Sequence, residues 1–183
     1  YLNFDKANTG LTITTGGGVV TGLNLTSAND APERDPANFV LSGSNDGGTT
    51  FVEIATGDVP SFSARFETQS VSFANDVAYT TYKLIFPEVV NPDGANSMQI
   101  AEIELLTGAP EAGGDEPDDN QEPNEAEDNE GPDEGEDITL PGDEVVATSD
   151  NSPGGEQASN AIDDNPFTKY LNSDKVDTGL TIT

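Results

Sequence analysis

The sequence predicts an all-β fold, a jelly-roll β-sandwich joined to a long acidic linker. Three observations carry that prediction. Short runs rich in β-branched and aromatic residues alternate with clusters of Gly, Pro, Asn and Asp. No segment spaces its apolar residues with a convincing period near 3.6, the mark of an amphipathic helix. Only 33% of the 183 residues are hydrophobic, with 19 Gly and 12 Pro, which suits a turn-rich β domain.

The strands fall within residues 1–108. They are expected in "VVTGLNL", "NFVLSGS", "FVEIA", "ARFETQSVSF", "TYKLIFPEV" and "QIAEIELL". Between them stand the turn clusters "SANDAPERDP", "SNDGGTT", "TGDVP" and "VNPDGAN". In "TYKLIFPEV" the side chains of Tyr82, Leu84 and Phe86 fall on one face, and Lys83 and Ile85 on the other. "SNDGG" reads as a hairpin turn in which Asn45, Asp46 and the glycines supply positive φ. Phe39, Phe51, Phe66, Phe73, Tyr82 and Phe86 are expected in the core, which leaves Phe4, Phe62 and Tyr79 as candidate loop aromatics. Arg34 is expected to pair with Glu33 or Asp35, and Asn24 begins the glycosylation sequon "NLT".

Residues 109–144 change character. They hold sixteen of the 35 acidic residues and no basic one. Such a run repels itself and is expected to act as an extended spacer, reaching about 120 Å at most if fully drawn out. It lacks the Asp-x-Asp-x-Asp-Gly order of an EF-hand loop. Residues 145–183 resume β chemistry.

The two ends of the chain repeat each other. "YLNFDKANTGLTIT" (1–14) and "YLNSDKVDTGLTIT" (170–183) agree at eleven of fourteen positions. This implies a tandem array with a period of 169 residues, Tyr1 to Tyr170. The entry strand in 145–169 then belongs with the next body along the chain, either in one covalent array or by strand complementation between copies. The absence of an initiator Met at Tyr1 suggests a fragment of a longer precursor.

Charge and composition narrow the partners. The net charge of −29 disfavours nucleic acid and anionic membrane surfaces. No run of about 18 apolar residues is present to insert into a membrane. Cys, His and Trp are all absent, which removes disulfides, the usual zinc ligands and the commonest general base. Asp, Glu and backbone carbonyls remain, the oxygen ligands of hard cations such as Ca²⁺.

Unrolled from about residue 139 to 169 and on through 1–108, the repeat makes one domain of about 140 residues. In that order three motifs stand in place: "NAIDDNPFTKY", "RDPANFVLSGSNDGGTTFVEIA" and "MQIAEIELLTG". Together they resemble the discoidin, or coagulation-factor type C, family of galactose-binding-like domains, in a form similar to bacterial extracellular proteins. The resemblance implies an eight-stranded jelly roll with a structural Ca²⁺ where the "NAIDDNPFTKY" loop meets the last strand. Carried over by motif, Asp163, Thr168 and Glu102 supply side-chain oxygens, and carbonyls near Asn160, Asn165 and Ala101 complete the shell. Glu104 shares a strand face with Glu102 and is the substitute. On the residues alone, Asp163 and Asn165 can instead simply shape an Asx turn.

The expected function is non-catalytic. The leading expectation is a secreted structural repeat of an extracellular filament, stalk or adhesin, at the cell surface or beyond. Its partners would be neighbouring copies and calcium. The alternative is a carbohydrate-binding module, with glycans as partners. No nucleophile with a base is visible in the sequence, so an enzyme is not expected.

Overall fold

The computed structural model describes residues 2–3, 9–108, 135–143, 155 and 157–168. Its ten strands, in chain order, are β1 Leu2–Asn3, β2 Thr9–Gly18, β3 Val20–Thr26, β4 Asn38–Ser44, β5 Val52–Asp58, β6 Thr68–Ser72, β7 Tyr79–Phe86, β8 Met98–Gln99, β9 Glu102–Thr107 and β10 Glu136–Asp137. They form two four-stranded sheets, ordered β10-β9-β3-β6 and β2-β7-β4-β5, and the short pair β1-β8. Every pairing is antiparallel. The all-β sandwich expected from the strand pattern is the observed architecture.

Alternation explains the core. Leu11 and Ile13 of β2, Phe39 and Leu41 of β4, and Tyr82, Leu84 and Phe86 of β7 point inward from one sheet. Leu23 and Leu25 of β3 and Ile103 and Leu105 of β9 meet them from the other. Close backbone approach also shapes the packing. A Cβ on Gly43 would lie 2.3 Å from the Tyr79 ring, so β4 holds a glycine where β7 lays its first aromatic. The Tyr82 hydroxyl donates to the Gly18 carbonyl, which ties the irregular end of β2 to the centre of the sheet.

The "SNDGG" turn joins β4 to β5 as expected, with Gly47 at φ 69° and Gly48 at φ 79°. Asp46 organises it. Its carboxylate accepts hydrogen bonds from the Thr49 and Thr50 amides and from the Thr50 and Ser44 hydroxyls. Led by the Thr50 bonds, this holds the Asp46 carboxyl well below the usual carboxylate range.

Several expectations need correction. Tyr79 is a core residue at the start of β7, because its ring fills the space that Gly43 leaves open. Phe51 lies on the sheet surface, where the Lys83 ammonium sits 4.2 Å from its ring centroid. Phe66 is 41% exposed. Arg34 faces Asp30 at 3.9 Å, because Asp35 is taken by Arg65. Asn24 is no accessible sequon: it lies inside β3, donates to Glu104 at 2.8 Å and accepts from the Ser70 hydroxyl at 2.7 Å.

Part of the expected linker is sheet. Within 109–144, β10 pairs with β9, Glu136 opposite Thr107 and Asp137 opposite Leu106. Ile138 packs on the core. Thr139 is buried, its hydroxyl bridging the Ile103 carbonyl and the Leu105 amide. The run "DITL" has the β-branched residues that such an edge needs, which the acidic composition around it obscures. Residues 109–134 and 144 lie outside the described residues, as does the repeated segment 170–183.

Candidate functional site

The loop "AIDDNPFT" is anchored before it is functional. A short 3-10 turn, Ala158–Ala161, delivers Ala161 and Ile162 into the core, where they are 0% and 2% exposed. With those two plugged in, residues 163–168 are forced to turn over the end of β9. Two nested Asx turns shape them: Asp163 Oδ1 accepts from the Asn165 amide at 3.1 Å, and Asn165 Oδ1 accepts from the Phe167 amide at 3.2 Å. Asp164 takes φ 57° between them. The Thr168 hydroxyl closes the loop, within 2.8 Å of both Asp163 Oδ1 and the Asn165 carbonyl. The Asn160 side-chain amide donates to the Gly155 carbonyl at 2.8 Å.

This loop meets β9 where two carboxyl groups converge. Glu102, the first residue of β9, is 4% exposed, and its Oε1 has no hydrogen-bond partner. Burial pushes its carboxyl up to about 8, reinforced by the charge of Asp163 and by a hydrogen bond between the two side chains. Near neutrality the pair therefore holds a proton on Glu102. Glu104 stands apart, bonded to Asn24, and does not enter the site.

The donor chemistry of this corner fits a hard cation. It offers two converging carboxyl groups, one with a buried oxygen lacking a partner. Among the described residues, no group of three or more His, Cys, Asp or Glu is gathered as a metal cluster. Neutral oxygens would have to supply the rest of a shell. Of the six residues expected from sequence, Glu102 and Asp163 are brought together, and Ala101 and Thr168 line the adjoining cleft. The Asn165 carbonyl and the Thr168 hydroxyl are already bonded within the loop.

Beside the carboxyl pair opens a cleft of about 340 Å³, lined among others by Ala28, Asn29, Phe66, Ala101, Phe167 and Thr168. The rings of Phe66 and Phe167 sit 5.4 Å apart, inclined at 48°. Phe167 is 82% exposed. Phe66 holds the left-handed value φ 59°, a conformation unusual for an aromatic residue and costing on the order of 1–2 kcal/mol. The turn around it is over-determined. The Glu67 carboxylate accepts from the Ser63 and Ala64 amides, and Ser27 bonds the Glu67 amide at 3.1 Å and the Ala64 carbonyl at 3.2 Å. Behind it, Arg65 grips buried Asp35 with two hydrogen bonds of 2.6 and 2.9 Å. Gln99 donates to the Asp30 carbonyl and steadies the loop that carries Asn29.

The cleft was not legible in the sequence, because its two aromatics lie 101 positions apart. The available signal was Phe167 itself, an apolar ring inside a run of Asp, Asn and Pro that no strand would bury.

No family model matches the chain. A stretch of 82 residues is 34% identical to a peptide-N(4)-(N-acetyl-beta-glucosaminyl)asparagine amidase of Arabidopsis thaliana, covering 44% of this chain and 11% of that protein. The chain thus spans about a tenth of that relative's length. Among solved structures, CpGH89CBM32-5 of Clostridium perfringens, in complex with GalNAc-beta-1,3-galactose, is similar with a TM-score of 0.39 and 19% identity, covering 48% of this chain and 57% of that one. The family 32 CBM of NanJ from the same organism, in complex with galactose, has a TM-score of 0.38 and 15% identity, covering 49% and 58%. The chain spans just over half of each.

Proposed function

We propose that this chain is a non-catalytic glycan-binding module of an extracellular protein, with the Phe66–Phe167 cleft as its binding site. The observation that carries the reading is the exposed aromatic pair itself. A ring left 82% exposed, beside a second held in a strained backbone, is not explained by core packing. It is the surface that the C–H face of a sugar ring stacks on. The Asn29 amide at the rim and the Thr168 hydroxyl supply the few polar contacts that orient a ligand in a mostly apolar cleft. The curated relative adds support, since its named substrate carries a glycan on asparagine.

In this reading Ca²⁺ is structural. Glu102 and Asp163 would hold it, aided by neutral oxygens such as the Ala101 carbonyl. When bound, the ion would supply positive charge to the two converging carboxyl groups. The ion would then help to fix the loop that carries Phe167.

A second reading rests on a different observation, the repeat of residues 1–14 at 170–183. In it the module is also one link of a surface stalk or adhesin, which presents many clefts in a row.

The test is saturation-transfer NMR with mono- and disaccharides. The reading predicts transfer to at least one hexose, lost in Phe167→Ala while the melting temperature stays unchanged. Transfer to no sugar, or equal transfer in the variant, would remove it.

A further inference from the structure

We infer that the Phe66–Phe167 cleft selects hexosamines with a free amine over neutral sugars, and rejects sugars that carry a carboxylate. The inference rests on the glycan-binding reading of this cleft and adds the chemical class of the ligand.

Three observations lead to it. The first is the chemistry of the two exposed rings, set 5.4 Å apart and inclined at 48°. An aromatic face carries the negative side of the ring quadrupole, so it attracts an ammonium group as well as sugar C–H bonds. Phe has no hydroxyl or ring N–H, so neither ring offers a hydrogen-bond donor to a ligand.

The second is the state of the Thr168 hydroxyl. It has one proton and three acceptors already in reach: Asp163 Oδ1 at 2.8 Å, Asp163 Oδ2 at 2.9 Å and the Asn165 carbonyl at 2.8 Å. That proton is used within the loop, so toward a ligand the oxygen can only accept. An ammonium, with three donors and no acceptor, complements both the hydroxyl and the ring faces.

The third is charge. Among the described residues, none that lines the cleft is charged. The loops that carry the lining residues, however, hold Asp30, Glu67 and Asp164. Asp30 follows Asn29 and its side chain is 60% exposed. Glu67 follows Phe66, and hydrogen bonds led by the Ala64 amide hold its carboxyl below the ordinary range, so it stays ionised. Asp164 is exposed two residues before Pro166. Asp163 and Glu102 are left out of this set, because a bound Ca²⁺ would take their charge. Nearby cations do not cancel it. Arg65 is held by buried Asp35, and Arg34 offsets only Asp30, at 3.9 Å. Among the described residues, neither Glu67 nor Asp164 has a cation within salt-bridge distance. A sugar ammonium meets an attractive field here, and a sugar carboxylate meets the same field as repulsion.

The test is calorimetric titration of the whole chain in Ca²⁺ at about pH 6, where the sugar amine is protonated. Three probes are compared: a glucosamine disaccharide, its N-acetylated form and a disaccharide of a uronic acid. At about 20 mM NaCl the glucosamine form should bind about tenfold tighter than the N-acetylated one, and the uronic form should not bind. The gap should narrow to about threefold at about 200 mM NaCl. Asp30→Asn combined with Asp164→Asn should narrow it similarly, with affinity for the N-acetylated form unchanged. Asn suits the φ of 57° at Asp164, which keeps the loop intact. Phe167→Ala should lose the glucosamine form. If it does not, the amine is merely drawn to a chain of net charge −29, and the inference fails. A gap unchanged in the double variant would also overturn it. Equal or tighter binding of the N-acetylated form would overturn the inference and leave the glycan-binding reading standing. Binding of none of the three would remove the inference, and the broader sugar screen would then decide that reading on its own.

Discussion

Glu102 is where burial, charge and stability meet. Burial pushes its carboxyl up to about 8 from an ordinary value of 4.5, which favours a proton in the folded protein that the unfolded chain releases. The stability it contributes is complete below about pH 4.5 and is lost as pH rises toward 8. In chelator, the melting temperature should therefore fall across that window, and Glu102→Gln should flatten the fall. Raised carboxyls at Asp35 and Asp137 act in the same direction, mainly through burial, so the comparison with the variant isolates Glu102. If Glu102 and Asp163 hold Ca²⁺ as proposed, excess Ca²⁺ should also flatten the profile, because the ion would replace the proton. An unchanged slope in Glu102→Gln would place the titration elsewhere. Gly43 makes a simpler prediction. Gly43→Ala puts a methyl into the Tyr79 ring and should cost about 1–3 kcal/mol, read as a lower denaturation midpoint with an unchanged m-value.

Among the elements, the 3-10 turn and its loop matter most, because the buried Ala161 and Ile162 anchor the loop that carries Asp163 and Phe167. Ile162→Ala removes a side chain that is 2% exposed and should cost about 2–5 kcal/mol. For a chain of this size that lowers the melting temperature by roughly 5–15 °C. It should also abolish any stabilisation by Ca²⁺, since Asp163 is the next residue. A neutral Ile162→Ala would mean that the loop is not seated on the core. The same element shows what a sequence can and cannot disclose. The Asx turns of Asp163 and Asn165 follow from the residue types of the motif, whereas the nearness of Glu102 was expected only from the family resemblance. The Phe66–Phe167 pair follows from neither, because it joins the β5–β6 connection to the far end of the chain and depends on a positive φ that no propensity favours. Residues 136–139 were hidden for the opposite reason: their strand sits inside a run whose composition argues for solvent.

For the molecule as a whole, alternation and turn chemistry made the sandwich legible, since period 2 on short strands leaves few other ways to bury Leu11, Leu23, Leu84 and Ile103 together. Charge sets the remaining behaviour. A net charge of −29 repels itself in the compact state, so raising NaCl from about 20 to 200 mM should raise the melting temperature by screening. Ca²⁺ at equal ionic strength should raise it further, and the excess should vanish in Asp163→Ala. The measurement that bears most directly on the proposed function is a glycan array probed with the whole chain and with Phe167→Ala, both in Ca²⁺. The cleft reading predicts a discrete set of glycans retained by the parent chain and lost by the variant. An array that retains no glycan, or the same set retained by both proteins, would contradict it.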